Sequence, residues 1–199
     1  MQKENSIAVV IPAYNEAAQI GSVIKTIPEF VDWIIVVDDG SKDDTGIISR
    51  NSGAILVTHS KNKGVGAAFK SGLDKAIDLN ADIMINIDAD GQFNPDDITK
   101  IIAPIVNDEA EFVTASRFIN KEYYPRMSKI KFLGNKFMSW FISRLTDNIF
   151  YDVSCGFRAY SRKAMIQLNL FGDFTYTQET FIDLSLKGII IKEVPLHVR

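Results

Sequence analysis

The feature that most constrains the fold is a series of short apolar runs, rich in β-branched residues, that alternate with stretches of helical periodicity. These runs occupy residues 6–12, 33–38, 54–58, 82–88 and 111–116. Continuous apolar runs of this length are typical of strands that are buried on both faces of a parallel sheet. Their alternation with helical stretches predicts an α/β fold with a Rossmann-like, mainly parallel central sheet flanked by helices.

Local signals predict where several of these elements begin and end. Pro12 is expected to end the first strand, because proline cannot donate to a sheet ladder. Asn15 is expected to cap the first helix, and Ser41 with Asp44 resembles a capping box for a short second helix. Pro95 is expected at the first helical position after the fourth strand.

The second half of the chain is less regular. It predicts one or two helices over 125–147, a loop and short strand around Gly156, and helices over 162–168 and 178–187, then a last strand over 189–194. Gly188 is the expected C-cap of the last helix.

Composition excludes several classes of protein. The 199 residues fit one domain, and a formal charge of −3 argues against bulk nucleic-acid binding. A single cysteine, Cys155, excludes an internal disulfide framework and fits a reducing compartment. No apolar run approaches the roughly 18 residues that span a bilayer. We therefore expect a cytoplasmic protein that is soluble or at most peripheral to a membrane.

Two carboxylates follow the fourth strand at a spacing of two residues. In an extended backbone, Asp88 and Asp90 would point to one face, whereas Gly91 favours a bend that brings Gln92 in from a turn. Two carboxylates and an amide oxygen suit Mg²⁺ or Mn²⁺. An ordinary acidic turn is the alternative interpretation of the same residues.

Other polar residues also follow predicted strands. Asp38 and Asp39 end the second strand, and Arg117 follows the fifth. In open α/β sheets, ligands bind at the carboxyl ends of the strands, so these groups and the Asp88–Asp90 pair are expected to share a site.

Residues around the first and third strands suit nucleotide binding. Tyr14 offers a ring for stacking and Glu16 a hydrogen-bonding acid, although these residues also fit a simple helix cap. Lys63 lies at a predicted helix N-terminus, where it can reach an anionic ligand. Gly64 and Gly66 lack the third glycine of a dinucleotide fingerprint, which disfavours a dinucleotide site.

The stretch 126–145 combines lysine and arginine with aromatic residues. Its apolar residues at helical spacing are either a core stripe under a solvated face or the membrane-facing side of an interfacial helix. The stripe comprises Ile130, Leu133, Phe137, Trp140, Phe141 and Leu145. His59 and His197 are isolated in the sequence, and we interpret both as structural.

Taken together, these motifs resemble family 2 inverting glycosyltransferases of the GT-A fold, in particular the dolichol- and polyprenyl-phosphate sugar synthases. The matching segments run in the family's order through nearly the whole chain, at residues 10–16, 36–45, 62–68, 88–92, 116–118, 152–160, 176–179 and 193–195.

The resemblance implies a hexosyltransferase that uses a GDP- or UDP-linked sugar donor. Asp88, Ala89 and Asp90 correspond to the Asp-x-Asp motif, which with Gln92 would hold Mg²⁺ or Mn²⁺ on the donor diphosphate. The residues that would contact the nucleotide are Pro12, Tyr14, Glu16, Asp39 and Lys63.

The acceptor implied by the resemblance is a polyprenyl phosphate at a membrane surface. Arg117, Arg126 and Lys129 would orient its phosphate, and Glu179 lies where the family places an acid near the acceptor. A sugar hydroxyl acceptor stays open as an alternative, because it would need a general base.

Domain organisation follows from the same resemblance. We expect one catalytic domain over residues 1–199, with a nucleotide-sugar-binding half at 1–117 and an acceptor half at 118–199. The family usually continues beyond the last strand, so a C-terminal segment is expected to be absent here. A non-catalytic nucleotide-sugar-binding module is the alternative from another class, and a receiver-type signalling domain is disfavoured by chain length.

Overall fold

The computed structural model of the protein describes residues 5–197, except for residues 126, 171 and 173–175. The elements are β1 (Ile7–Ala13), α1 (Ile20–Thr26), β2 (Trp33–Asp38), α2 (Thr45–Asn51), β3 (Ile55–Thr58), α3 (Val65–Asp78), β4 (Ile83–Asn86), α4 (Ile98–Val106), β5 (Phe112–Ser116), α5 (Lys129–Thr146), β6 (Arg158–Ser161), α6 (Arg162–Gln167), α7 (Thr177–Leu186) and β7 (Ile191–Pro195). Short 3₁₀ turns at Pro95–Asp97 and Lys121–Tyr123 precede α4 and α5.

These strands form one sheet in the order β3-β2-β1-β4-β6-β5-β7. The pairs β1–β2, β1–β4, β2–β3 and β5–β7 are parallel, whereas β6 is antiparallel to both of its neighbours, β4 and β5. The predicted α/β architecture with a mainly parallel sheet is therefore confirmed. Because β4 and β5 point in the same direction, β1, β2, β4 and β5 all end at one edge of the sheet.

Helices cover both faces of the sheet, which explains why the strands are apolar throughout. In β1, Val9 and Ile11 face a core that includes residues of α1 and α4, whereas Val10 faces a second core with residues of α3, α6 and α7. All three valine and isoleucine side chains are fully buried. Packing on both faces thus holds the carboxyl edge of the sheet in place.

Two predicted boundaries around β1 are wrong. Pro12 lies inside β1, opposite Val37, and the strand ends at Ala13. β4 pairs with β1 only as far as Val10, so Pro12 sits where β1 has a neighbour on one side, a position that tolerates proline. Asn15 has a φ of 56° and does not cap α1, which begins at Ile20.

The predicted capping box of the second helix is also wrong. Asp44 makes no side-chain cap bond, and Ser41 instead accepts a 2.9 Å hydrogen bond from the backbone N–H of Asn15. The start of α2 is stabilised by Asp43, whose carboxylate accepts from both the N–H and the hydroxyl of Thr45. These bonds lower the pKa of Asp43.

Helix α5 lies on the surface of the molecule. Within this helix only Ser139 and Ile142 are buried, while Phe137 and Trp140 are 60% and 59% exposed. The rest of the predicted stripe, Ile130, Leu133, Phe141 and Leu145, is exposed as well. The core-stripe interpretation is therefore wrong. No helix in the described ranges is long and apolar enough to cross a bilayer.

Candidate active site

The two aspartates after the fourth apolar run lie in a turn, not on a strand. β4 ends at Asn86, so the extended arrangement of Asp88 and Asp90 on one face of a strand is wrong. The backbone N–H of Ile87 still bonds to β1, and the chain then bends at Gly91, whose φ is 71°. The bend that the sequence predicts at Gly91 is thus present.

Asp90 is held within this turn by the backbone of Gln92, whose N–H donates to Asp90 Oδ1 at 3.0 Å. The side chain of Gln92 is exposed, and the described residues offer it no hydrogen bond. A role for the Gln92 amide oxygen as a third metal ligand therefore stays a prediction. Ala89, between the two acids, is buried.

Asp88 is a partly buried carboxylate without a hydrogen-bond donor in the described part of the chain. Burial, and then the charge of Asp90, raise its pKa to about 6, against the opposing effects of Arg158 and Arg117. On its other side lies Gly156: a Cβ there would come within 2.6 Å of Asp88 Oδ2. Gly156 therefore lets the backbone approach the carboxylate closely.

The Asp88–Asp90 turn fits a divalent cation. A partly desolvated carboxylate destabilised by a neighbouring negative charge gains from a bound cation, and its oxygens are the hard ligands that Mg²⁺ and Mn²⁺ prefer. Within the described ranges no third histidine, cysteine, aspartate or glutamate joins this pair. Water and substrate phosphates would complete the coordination of such a cation.

Arg117 is fixed beside this turn by a bidentate ion pair. Its Nε and Nη2 donate to the two carboxylate oxygens of Asp152 at 2.7 and 2.9 Å, and Nη2 also donates to Ser154 Oγ. Asp152 is fully buried, and its own backbone N–H donates to Glu193 Oε1 at 2.8 Å. Burial raises the pKa of Glu193, against the backbone hydrogen bonds that it accepts.

Asp39 occupies the end of β2 and has hydrogen-bond partners for both of its oxygens. Oδ1 accepts from the N–H of Lys63 at 2.9 Å and lies 2.7 Å from His59 Nδ1, while Oδ2 accepts from the N–H of Gly64 at 2.9 Å. His59 Nε2 lies 2.9 Å from Ser71 Oγ. His59 is therefore a buried, fully bonded residue, as its structural interpretation implies.

The other predicted nucleotide contacts surround the end of β1. Tyr14 is 40% exposed, and Glu16 is partly buried with its N–H donating to Thr45 Oγ1 at 2.8 Å. Lys63 is exposed immediately before α3, next to Asp39. Asp38 is buried and accepts from the N–H of Ser41, which gives it a role in the turn that follows β2.

The predicted acceptor residues are spread over the second half. Glu179 lies in the first turn of α7, where Oε2 accepts from the N–H of Gly172 at 3.3 Å. Lys129 is exposed at the start of α5. Arg126 lies outside the described residues.

Two cavities lie near these groups. One, of about 260 Å³, adjoins Asp88 and Gly91 and is lined by Phe93 and Phe157. A larger one of about 490 Å³ lies under α5 and is mainly apolar, with a lining that includes Phe118, Tyr124, Trp140, Phe150 and Tyr151. The guanidinium of Arg117 stands 5.4 Å from the ring of Phe118, which connects the second cavity with the Arg117 ion pair.

Sequence reasoning did not assign roles to four residues that build this site. Asp152 and Glu193 orient Arg117, Gly156 accommodates Asp88, and Arg158 is a fully buried cation beside them. The signal available was that all four lie in segments that carry the family resemblance. Spacing alone did not indicate what they contact.

Comparison with known proteins identifies relatives over most of the chain. The family described as Glycosyl transferase family 2 matches residues 8–168. A UDP-N-acetylglucosamine–dolichyl-phosphate N-acetylglucosaminyltransferase of Methanococcus voltae is 40% identical over 177 residues, which cover 80% of this chain and 70% of that protein. A polyprenol monophosphomannose synthase of Mycolicibacterium smegmatis is 26% identical, over 94% of this chain and 75% of that protein.

Solved structures agree with this result. Glucosyl-3-phosphoglycerate synthase from Mycobacterium tuberculosis, in complex with Mn²⁺, UDP and phosphoglyceric acid, superposes with a TM-score of 0.76 at 26% identity, over 98% of this chain and 70% of that one. The same enzyme with Mg²⁺ and UDP gives a TM-score of 0.77 at 27% identity, over 98% and 71%. The expected GT-A fold is thereby confirmed.

Proposed function

Because the chain belongs to glycosyl transferase family 2, we propose that it is a metal-dependent inverting enzyme that moves a sugar from a GDP- or UDP-linked donor to a polyprenyl or dolichyl phosphate. In this proposal the enzyme works peripherally, at the cytoplasmic face of a membrane. The relatives named as dolichyl-phosphate and polyprenol-phosphate enzymes support the lipid acceptor, and neighbours with UDP and Mn²⁺ or Mg²⁺ support the donor chemistry.

The observation that carries the proposal is the Asp88–Asp90 turn at the carboxyl edge of the sheet. Asp88 is partly buried, its pKa is raised to about 6 by desolvation and by Asp90, and it has no donor among the described residues, so its carboxylate is suited to bind a cation. A purely structural acidic turn would be expected to have its oxygens hydrogen-bonded.

The residues would divide the work as follows. A divalent cation held by Asp88 and Asp90 would neutralise charge on the departing diphosphate, as a Lewis acid does. Asp39 would accept a hydrogen bond from the base or ribose, with Pro12, Tyr14, Glu16 and Lys63 close to the nucleotide. The remaining metal positions would be filled by Gln92, water and the donor phosphates.

The acceptor half would orient the nucleophile. A phosphate oxygen attacks the anomeric carbon while the bond to the nucleoside diphosphate breaks, and the configuration inverts. Because a lipid phosphate is already anionic, orientation by Arg117, Lys129 and Arg126 matters more than deprotonation by Glu179. The Asp152 ion pair supports this role, because it fixes the position of the Arg117 guanidinium.

The surface of α5 supports contact with a membrane. Its exposed aromatic and aliphatic side chains alternate with Lys129, Lys131, Lys136 and Arg144, the composition of helices that lie in the lipid headgroup region. The apolar cavity under α5 extends from this surface towards Phe118 and Arg117, so it offers space for the first isoprene units of the acceptor.

We assign the two parts of the chain accordingly, with donor binding in residues 1–117 and acceptor binding in residues 118–199 within one catalytic domain. The carboxylates of the donor side and the ion pair of Arg117 meet at the end of β4 and β5. This position at the boundary is where a sugar must pass between the two substrates.

A small phosphorylated acceptor is the second candidate. It is favoured by the likeness to glucosyl-3-phosphoglycerate synthase, whose solved complex contains phosphoglyceric acid. A sugar hydroxyl acceptor belongs to the same group of alternatives, because its attack would need Glu179 as a base.

Donor binding is tested by isothermal titration with UDP and GDP, with and without Mn²⁺. We expect metal-dependent binding of one nucleotide that is lost in Asp90→Ala and retained in Asp74→Ala, which removes an exposed acid on α3. Equal affinity with and without metal would contradict the proposed site.

The acceptor is tested by transfer of labelled sugar from the nucleotide-sugar to a short-chain polyprenyl phosphate, to phosphoglyceric acid and to a free sugar. Transfer to the lipid phosphate is expected. Transfer to another acceptor alone would refute the lipid assignment, and nucleotide binding without transfer would favour a non-catalytic module.

Membrane contact is tested by sedimentation with vesicles of anionic phospholipid. Lys129→Glu with Lys131→Glu should reduce binding by roughly 30-fold or more, since each basic residue near an anionic surface contributes about 1 kcal/mol. The matched control, Lys25→Glu with Lys70→Glu, makes the same charge change on exposed residues of α1 and α3. An equal loss in both double variants would show that general charge, not α5, is responsible.

A further inference from the structure

Arg158 is a fully buried cation that hydrogen-bonds to backbone carbonyl groups. Its Nε donates to the carbonyl of Cys155 at 2.7 Å, Nη1 to that of Thr177 at 2.9 Å and Nη2 to that of Val153 at 3.2 Å. No carboxylate in the described ranges lies within ion-pair distance of it. Three bonds from one rigid guanidinium therefore tie together two separate segments of backbone.

The first segment that Arg158 holds reaches the Asp88 turn. Val153 and Cys155 precede Gly156, whose backbone lies against the Asp88 carboxylate. The carbonyl of Gly156 accepts a 2.9 Å bond from Asn86 Nδ2, and Asn86 is the last residue of β4. Movement of residues 153–156 would consequently displace both the Asp88 carboxylate and the backbone that leads into its turn.

The second segment is the start of α7. Thr177 is the first residue of that helix, and Glu179 lies in the same turn. Asn86 Nδ2 also donates to the hydroxyl of Tyr176, at 2.9 Å, so the two segments share a second polar link. Arg158 and Asn86 together join the end of β4, residues 153–156 and the N-terminus of α7.

The surroundings of Arg158 make its geometry demanding. The guanidinium is flanked by the rings of Phe112, Tyr176 and Phe181 at 5.1 to 5.8 Å, which stabilise its charge but accept no hydrogen bond at those distances. A lysine at this position would keep the charge but lacks the planar fork that reaches three carbonyl groups. The position thus depends on the shape of arginine as well as on its charge.

From these contacts we infer that Arg158 is a positioning residue that couples the Asp88–Asp90 turn to the N-terminus of α7. The inference rests on the proposed function in so far as these two segments are taken as the donor and acceptor sides. Its structural content, a mechanical link between two segments that are far apart in sequence, is independent of that function.

The test compares four variants by amide hydrogen exchange in the metal-free protein. In Arg158→Lys we expect faster exchange in both residues 87–92 and residues 177–180, with α1 and β3 unchanged. Gly156→Ala should give the same paired effect from the other end, because its Cβ would displace Asp88 or residues 153–156. Arg158→Met removes both the hydrogen bonds and the charge. If that variant does not fold, Arg158→Lys, which keeps the charge, still tests the coupling.

Arg162→Lys is the matched control. Arg162 also donates to a backbone carbonyl, that of Ala81 at 3.2 Å, but it lies at the opposite end of β6. Arg162→Lys should leave exchange in both segments as in the wild-type protein. Faster exchange in one segment alone, or an equal increase throughout the chain, would overturn the coupling.

Mn²⁺ binding in the presence of UDP gives a second readout. We expect a roughly tenfold weaker Mn²⁺ affinity in Arg158→Lys, as is typical when a residue that supports metal ligands is lost. Unchanged affinity would overturn the coupling to the Asp88 turn. If the wild-type protein binds no Mn²⁺ and UDP, the proposed function fails, and the exchange experiment still decides the coupling.

Discussion

The ends of β2 and β4 carry similar sequences, Val-Asp-Asp-Gly and Ile-Asp-Ala-Asp-Gly, but their aspartates have opposite surroundings. Asp39 is buried among donors: the N–H groups of Lys63 and Gly64 and the ring of His59. Asp88 is partly buried, its neighbours include a second acid, and no donor in the described part of the chain contacts it. Both oxygens of Asp39 therefore have donors, with one acceptor position of Oδ2 left for a nucleotide, whereas neither oxygen of Asp88 has a donor among the described residues.

This difference distinguishes an aspartate whose charge the fold itself stabilises from one whose charge needs a bound cation. A carboxylate with donors on both oxygens stabilises the fold, whereas a partly buried carboxylate beside another acid costs stability until a cation binds. The four predictions below test this contrast, in order of decreasing size.

The largest effect is expected for turnover in Asp90→Asn. Loss of a group that holds charge-neutralising metal should lower the rate of sugar transfer by roughly 10²–10³-fold, the magnitude seen when one transition-state charge stabiliser is removed. The measurement is transfer of labelled sugar at saturating Mn²⁺. Asp74→Asn is the control, and a rate within twofold of the wild-type value would refute the metal role.

The next effect is a loss of stability in Asp39→Asn. The side-chain amide nitrogen of the asparagine would face one of the backbone N–H groups that donate to Asp39, so two donors would meet. The remaining donors would bond to a neutral oxygen and not to a charged carboxylate. We expect the free energy of unfolding to fall by about 3 kcal/mol, since hydrogen bonds to charged groups contribute about 1.5–3 kcal/mol each. Urea denaturation measures it; a change below about 0.5 kcal/mol would place Asp39 outside the structural core.

Asp88→Asn should instead raise the free energy of unfolding. The pKa of Asp88 is raised to about 6 in the folded protein, so folding favours the protonated carboxyl. The stability that this group contributes is therefore fully present below about pH 4 and is lost as the pH rises through 6 and the carboxyl ionises. Asparagine removes that cost and should stabilise the metal-free protein at pH 7.5 by about 2 kcal/mol. The gain should vanish near pH 4, and thermal unfolding in a chelator at both values checks it. A destabilised variant at pH 7.5 would contradict the prediction.

The smallest effect is expected for Ser71→Ala. This change removes the partner of His59 Nε2 but leaves the Asp39 carboxylate with its other donors. The free energy of unfolding should fall by about 1 kcal/mol, the net value of one neutral hydrogen bond. A loss as large as that of Asp39→Asn would mean that the serine, not the aspartate, organises the cluster.

Much of the sheet could be predicted from the sequence, because burial on both faces leaves a strong apolar signal. The five runs became β1–β5, and Pro95 and Gly188 mark a helix start and a helix end as their chemistry requires. The boundary at Asn15 was missed because its side chain accepts from Lys42, a partner 27 residues away that no local pattern reveals.

The site could be predicted only in part. The edge of the sheet where the acids gather follows from topology, but the hydrogen bonds that distinguish Asp39 from Asp88 depend on loops that meet in space. The burial of Arg158 was likewise unpredictable, since its partners are carbonyl groups without a sequence signature. In the sequence, α5 has the pattern of an ordinary amphipathic helix. That its apolar side is exposed is evident only from the structure.

The insertion of β6 between β4 and β5 has a consequence for the order in which the molecule assembles. β4 and β5 are consecutive strands in the chain, yet in the sheet formed by the described residues they are joined through β6, which comes more than 40 residues after β5 begins. During synthesis the first four strands can pair, but the edge of β4 stays open until residues 158–161 have emerged. An open edge of this kind is a site for wrong pairing, so we expect folding to be slow and vulnerable to aggregation up to that point.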